Sequence, residues 1–299
     1  MAQSNADVNY YKYLDSANIR IDNYPKLSNA FLDSIPKPIE ENLISRASEY
    51  YNLKAVLSSY LNKQAEVYHY NILALKYAEK EKNYTIAGSS SLELFYNLFL
   101  VNKDSIAYNY LKKAKTFYEL DNNEEGLTEV MQMDAFAEFY KHNYKKSNAL
   151  ILSKLDHYQA IEKDQYYYMF AIFMLTSNYT HLKDDVNFRK YFTAFKNLES
   201  NPTITPLLYK KHKVTLYNCI AEMYIAAKTW DSVLPYLVKS KEIGEFMNDS
   251  DIENYFSNHI SYHDAINDVA QKENYVDSLK KLASSNETMS VWDIYNFVE

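Results

Sequence analysis

Residues 216–240, LYNCIAEMYIAAKTWDSVLPYLVKS, decide the fold. Tyr217, Ile220, Ala221 and Tyr224 recur at i, i+3, i+4 and i+7, which is one face of an α-helix. Past Lys228-Thr229, Trp230, Val233, Leu237 and Ser240 repeat the helical spacing on a second segment. Neither short helix can bury its apolar stripe alone, so each needs neighbours of the same kind. The chain supplies them about every 40 residues, the sequence mark of a helical solenoid.

Working outward, an aromatic residue followed by apolar or small residues three, seven and ten positions on marks the start of each second helix. It occurs at Tyr24, Leu27, Phe31, Ser34; at Tyr144, Ser147, Ile151, Lys154; at Phe188, Tyr191, Phe195, Leu198; at Trp230; and at Tyr275, Ser278, Leu282, Ser285. Val67, Asn71, Ala74 and Ala107, Leu111, Ala114 supply two weaker copies. First helices are predicted over 8–22, 40–60, 86–101, 124–141, 163–181, 207–227 and 251–270. Their starts carry cap chemistry: Pro38 with Glu40 and Glu41, Asp104, Asn122 or Asn123, Thr205-Pro206, and Ser250-Asp251-Ile252-Glu253 as a capping box. No strand pattern competes. Val291, Trp292, Tyr295 and Val298 give 287–299 a further apolar helical face, either a cap on the last repeat or a stub toward another segment.

Composition agrees. Three Gly in 299 residues leave few places for positive φ, hence little room for hairpins or phosphate loops. The 31 Tyr suit interhelical seams, where a ring packs while its hydroxyl stays wet. A net charge of −7 and no long basic run argue against nucleic acid as a partner. The single Cys219 has no mate for a disulfide or zinc cluster and reads as a small buried apolar residue. No apolar run approaches the roughly 20 residues a bilayer-crossing helix needs, and the run Tyr166–Phe170 fits a helix contacted on several sides.

Tyr51-Asn52-Leu53, Tyr96-Asn97-Leu98 and Tyr217-Asn218 with Tyr224, together with Ala107, Leu111 and Ala114, resemble the tetratricopeptide repeat. Lys54, Phe99 and Ile220 stand where that family has a small residue, and the period is longer than its usual unit. The resemblance implies an all-α, right-handed superhelical solenoid of about seven antiparallel helix pairs over 8–286. Ala2-Gln3-Ser4, Tyr77-Ala78-Glu79-Lys80 and Tyr275–Lys280 are also similar in style to the repeat regions of Bacteroidetes sensor histidine kinases and regulators. That likeness implies the sensory region of a two-component system, attached to a membrane-anchored output module outside this chain. The location is then periplasmic after signal removal, or cytoplasmic if Met1 is the native start. The first repeat begins so early that an N-terminal DNA-binding module is not expected.

Function is expected in a polar ladder on the first helices: Asn52, Asn97, Asp134, Asn178, Asn218 and Asn258. Asn is a mediocre helix former, so its recurrence at one structural position needs a reason. In tetratricopeptide repeats the matching Asn faces the concave groove, and an amide offers both donor and acceptor to an extended peptide. Tyr51, Tyr96, Tyr217 and Tyr224 would flank that groove. An Asn that bonds only to the next helix is the structural alternative. His259 and His263 at i, i+4 could hold a metal, but no HExxH pattern or third ligand accompanies them, and the other His read as surface or boundary residues. No nucleophile elbow, phosphate loop or kinase motif occurs. The expectation is a non-enzymatic binder of a peptide or protein with no cofactor, its partners including a second copy of the chain. The alternatives are a standalone scaffold, an enzyme with a metal at His259 and His263, and a receptor for small signalling peptides.

Overall fold

A computed structural model describes residues 5–21, 24–35, 46–61, 63–162 and 165–285. The described chain is all-α, with no strand. Its helices are α1 (Asn5–Arg20), α2 (Pro25–Asp33), α3 (Ala47–Tyr60), α4 (Gln64–Glu81), α5 (Tyr84–Leu100), α6 (Asp104–Leu120), α7 (Glu124–Tyr140), α8 (Tyr144–Leu152), α9 (Leu155–Gln159), α10 (Tyr166–His181), α11 (Asp185–Asn197), α12 (Pro206–Ala226), α13 (Val233–Glu242), α14 (Asp249–Ala265) and α15 (Val269–Ser285). Residues 287–299 and the Pro38 cap lie outside the described residues. None of the described helices is long and apolar enough to cross a membrane.

The chain divides into two compact units, one running to Val130 and the other from Met131 to Glu287. In the first, α1 packs on α2, α3 on α4 and α5 on α6, while α3 also touches α1, α2 and α5. At the end of α4, Glu81 accepts hydrogen bonds from the Ala47 backbone N–H (2.9 Å) and the Ser48 hydroxyl (2.5 Å) at the start of α3, so this pair runs antiparallel. Leu14, Ala17, Leu32, Ile35, Leu53 and Leu57 form one core cluster. In the second unit α10 packs on α8, α9, α11 and α12, and α12 on α13 and α14. The α10 interior is buried from Met169 through Asn178, as expected for a helix contacted on several sides.

The second-helix stripes bury as spaced: Val67, Ala74, Ala107, Ala114, Ile151, Phe195, Val233 and Leu237 are each at most 3% exposed. The first stripe is out of register. Ser28, Leu32 and Ile35 go inside, while Tyr24 and Leu27 stand 63% and 46% exposed, because Pro25 fixes the start of α2 one residue later than Tyr24. Trp230 opens a 3-10 turn, Trp230–Ser232, and α13 begins after it. The capping box of α14 is Asn248 with Asp251, not Ser250 with Glu253.

Positive φ is common despite the scarcity of Gly. Lys82, Asn102, Asn122, His142, Lys183, Lys228 and Asn267 all adopt it. Each ends a helix, and the next residue's N–H reaches back five residues, as in Asn83 to Ala78, Lys103 to Leu98, Asp184 to Tyr179 and Thr229 to Tyr224, all near 3 Å. This is the Schellman closure, which satisfies carbonyls a helix end leaves orphaned. The expectation that few Gly means few positive φ values therefore fails. Asn102, His142, Lys183, Lys228 and Asn267, which join the two helices of a pair, stand 40, 41, 45 and 39 residues apart.

Candidate binding face

Four of the six ladder residues are buried. Asn97 (1% exposed) donates to the Glu93 carbonyl at 2.7 Å and accepts from Gln64 on α4. Asn178 (0%) donates to Ser147 Oγ at 3.0 Å and Asn148 Oδ1 at 2.8 Å on α8. Asn218 donates to the Asp251 carbonyl at 2.9 Å and accepts from Ser240 at 2.7 Å, joining α12 to α14 and α13. Asn258 donates to the Asn218 carbonyl at 3.0 Å. These amides tie helix to helix, the structural alternative for the ladder: buried polar groups must pair, and an amide does so without charge. Asn52 is half-buried and Asp134 is exposed, so these two of the ladder reach solvent.

The tyrosines expected beside the groove are half-buried. Tyr51 stacks on Tyr77 (5.4 Å between centroids) and Tyr70 (6.3 Å), and burial pushes its hydroxyl up to about 12. Tyr217 and Tyr224 both pack on Tyr236. Tyr96 is half-buried on α5.

A different set converges in the second unit. The Tyr144 ring, at the start of α8, lies flat on His181 at the end of α10, 4.6 Å between centroids and 7° between planes. His142 Nδ1 lies 2.7 Å from the Tyr144 hydroxyl. Glu222 on α12 is exposed, carries no ion pair among the described residues, and acts electrostatically on both Tyr144 and His181. Burial lowers the His181 pKa, Glu222 opposes that, and His142 adds to it. Cys219, one turn earlier on α12, has its Sγ 3.6 Å from Ser177 Oγ on α10. The residue is half-buried and burial pushes its thiol up to about 12, so it is a poor nucleophile. At one end of this face Asp251 acts on Lys211 and on Tyr140 of α7, 111 residues away in sequence. Aromatic and charged side chains of α8, α10 and α12 thus act on one another around Tyr144 and His181.

Sequence reading set His142 and His181 aside as scattered. Their 39-residue spacing, one repeat period, is the signal that could have joined them. His212, also set aside, packs on Phe173 at 4.6 Å, and burial lowers its pKa to about 4.

His259 and His263 lie one turn apart on α14. Their rings stack at 5.6 Å and 12°, and Tyr275 of α15 lies 4.1 Å from His259. His259 is 5% exposed with neither ring nitrogen hydrogen-bonded, and burial lowers its pKa to about 4. No three His, Cys, Asp or Glu side chains gather as metal ligands among the described residues.

Comparison with protein-family models finds no match, and comparison with curated proteins finds no relative.

Proposed function

We propose that the chain is a non-enzymatic helical-repeat region that binds a peptide or protein on the inner face of its second unit, and that it serves as the sensory part of a bacterial signalling protein. One observation carries the binding reading: Tyr144, His181 and Glu222, from three helices, meet with an exposed carboxylate that has no partner of its own. An unpaired carboxylate beside two stacked rings suits a cationic side chain of a peptide, through charge and ring face together. The signalling part rests on the sequence resemblance alone. The alternative, a scaffold that joins other proteins, draws on Leu234 and Val238, which stand 40% and 48% exposed one turn apart on α13.

A peptide-library screen on the purified chain, repeated with Glu222→Lys and His181→Ala, tests the choice. Binding that favours Lys- or Arg-containing peptides and is lost by about tenfold or more in Glu222→Lys supports the inner face. Binding that ignores both variants but falls with Leu234→Asp moves the reading to a scaffold.

A further inference from the structure

In the first unit, a cavity of about 220 Å3 opens between α2 and α4 over the middle of α3. Its charged groups come in two sets. Lys54 of α3 places Nζ 2.6 Å from Asp33 Oδ1 and 3.3 Å from Asn29 Oδ1, both of α2. From the α4 side, Lys63 donates to Glu66 Oε1 at 2.9 Å and Ser58 donates to Glu66 Oε2 at 3.1 Å. The Lys54 side chain is 11% exposed, whereas Asp33 is 56% and Glu66 44% exposed.

At Asn97, Asn178 and Asn218 the buried tie from a first helix to its neighbours is an uncharged amide. Holding helices together does not require a buried ammonium, whose desolvation costs several kcal/mol before any partner repays it. Here the ammonium borders open space, and the two carboxylates of the cavity, Asp33 and Glu66, are each about half exposed and so within reach of an occupant. The two cations and two anions sum to zero. The space equals roughly seven waters at about 30 Å3 each, smaller than the pockets that hold drug-sized ligands.

We propose that this cavity binds a free α-amino acid or an equally small zwitterion, its carboxylate on Lys54 and its ammonium on Asp33 and Glu66, with Leu57 and Tyr70 bounding the side-chain space. The site is independent of the peptide-binding face in the second unit.

The test titrates each proteinogenic amino acid, one at a time, into the full chain by calorimetry, with N-acetylalanine amide as a probe lacking both end charges. At least one amino acid is expected to bind at millimolar concentration or below, while the capped probe does not. Lys54→Met and Glu66→Gln each weaken that binding by about tenfold or more, and Glu222→Lys leaves it unchanged. No binding by any amino acid, equal binding by the capped probe, or wild-type affinity in Glu66→Gln overturns the proposal. Should Lys54→Met fail to fold, Glu66→Gln at its half-exposed carboxylate and the capped probe still decide.

Discussion

Asn218 is the residue on which three helices of the second unit agree. Removing its amide by Asn218→Ala leaves the buried Ser240 hydroxyl without its acceptor and takes the second donor from the Asp251 carbonyl, which keeps its place in the α14 helical ladder. One orphaned hydroxyl costs about 1–3 kcal/mol and a lost second donor less, so urea unfolding should show a loss of about 2 kcal/mol. Asn52→Ala, half-buried and with no such ties, should stay within about 0.5 kcal/mol. Equal losses at the two positions would sink the distinction. The pair also shows what was legible in the sequence. The recurrence of Asn was visible; its direction was not, because helical spacing fixes a face but not whether that face meets solvent or another helix. An amide satisfies either. Tyr144 with His181 was hidden for a different reason: the two stand on different repeats, and only packing sets one ring upon the other.

At the scale of the element, helix positions were legible because cap chemistry and apolar stripe coincide, as at Pro206 and along Tyr217–Tyr224. They were least legible where the turn chemistry is unusual: Pro25 shifted one register, and the 3-10 turn at Trp230 delayed α13. The first unit contains one tight fit that composition alone conceals. Gly88 on α5 and Gly126 in the first turn of α7 both abut the ring of Tyr118, itself 2% exposed, so that a Cβ at either would overlap it. Gly→Ala inside a helix ordinarily gains about 1 kcal/mol. Here overpacking against a rigid ring costs typically 1–3 kcal/mol and wins. Gly88→Ala is therefore expected to lower the melting temperature, yet to raise it when made in a Tyr118→Ala background. A stabilising Gly88→Ala in the otherwise natural chain would show that the ring moves aside freely.

For the whole molecule the informative variable is pH. Burial lowers the pKa of His181, and of His212 and His259 to about 4, and all three lie in the second unit. The groups that face His259 are Tyr255 and His263 on its own helix, Tyr275 of α15 and Lys241 near the end of α13, none of them an anion. A histidine whose folded pKa lies below its unfolded value of about 6.5 contributes stability that is complete above that value and lost as pH falls toward the folded one. For His259, 5% exposed, that is at most about 3 kcal/mol at 1.36 kcal/mol per pKa unit. Asp251 works in the opposite sense, since burial raises its pKa, but it is one group against three. Hydrogen exchange is expected to show protection falling between pH 6.5 and 4.5 in α10, α12 and α14 before it falls in α3 to α5, and His259→Phe should flatten part of that dependence. Uniform loss across both units would refute it. The turns that join the paired helices carry a further consequence. Because each closes on one residue in the left-handed conformation and the same backward hydrogen bond, a gene cut at His142 and rejoined at Lys183 is expected to encode an intact turn. The joints ask nothing of glycine, so what limits the exchange of one helix pair for another is the side-chain ties between pairs, such as Asn178 to Asn148 and Asn258 to Asn218, and not the turns.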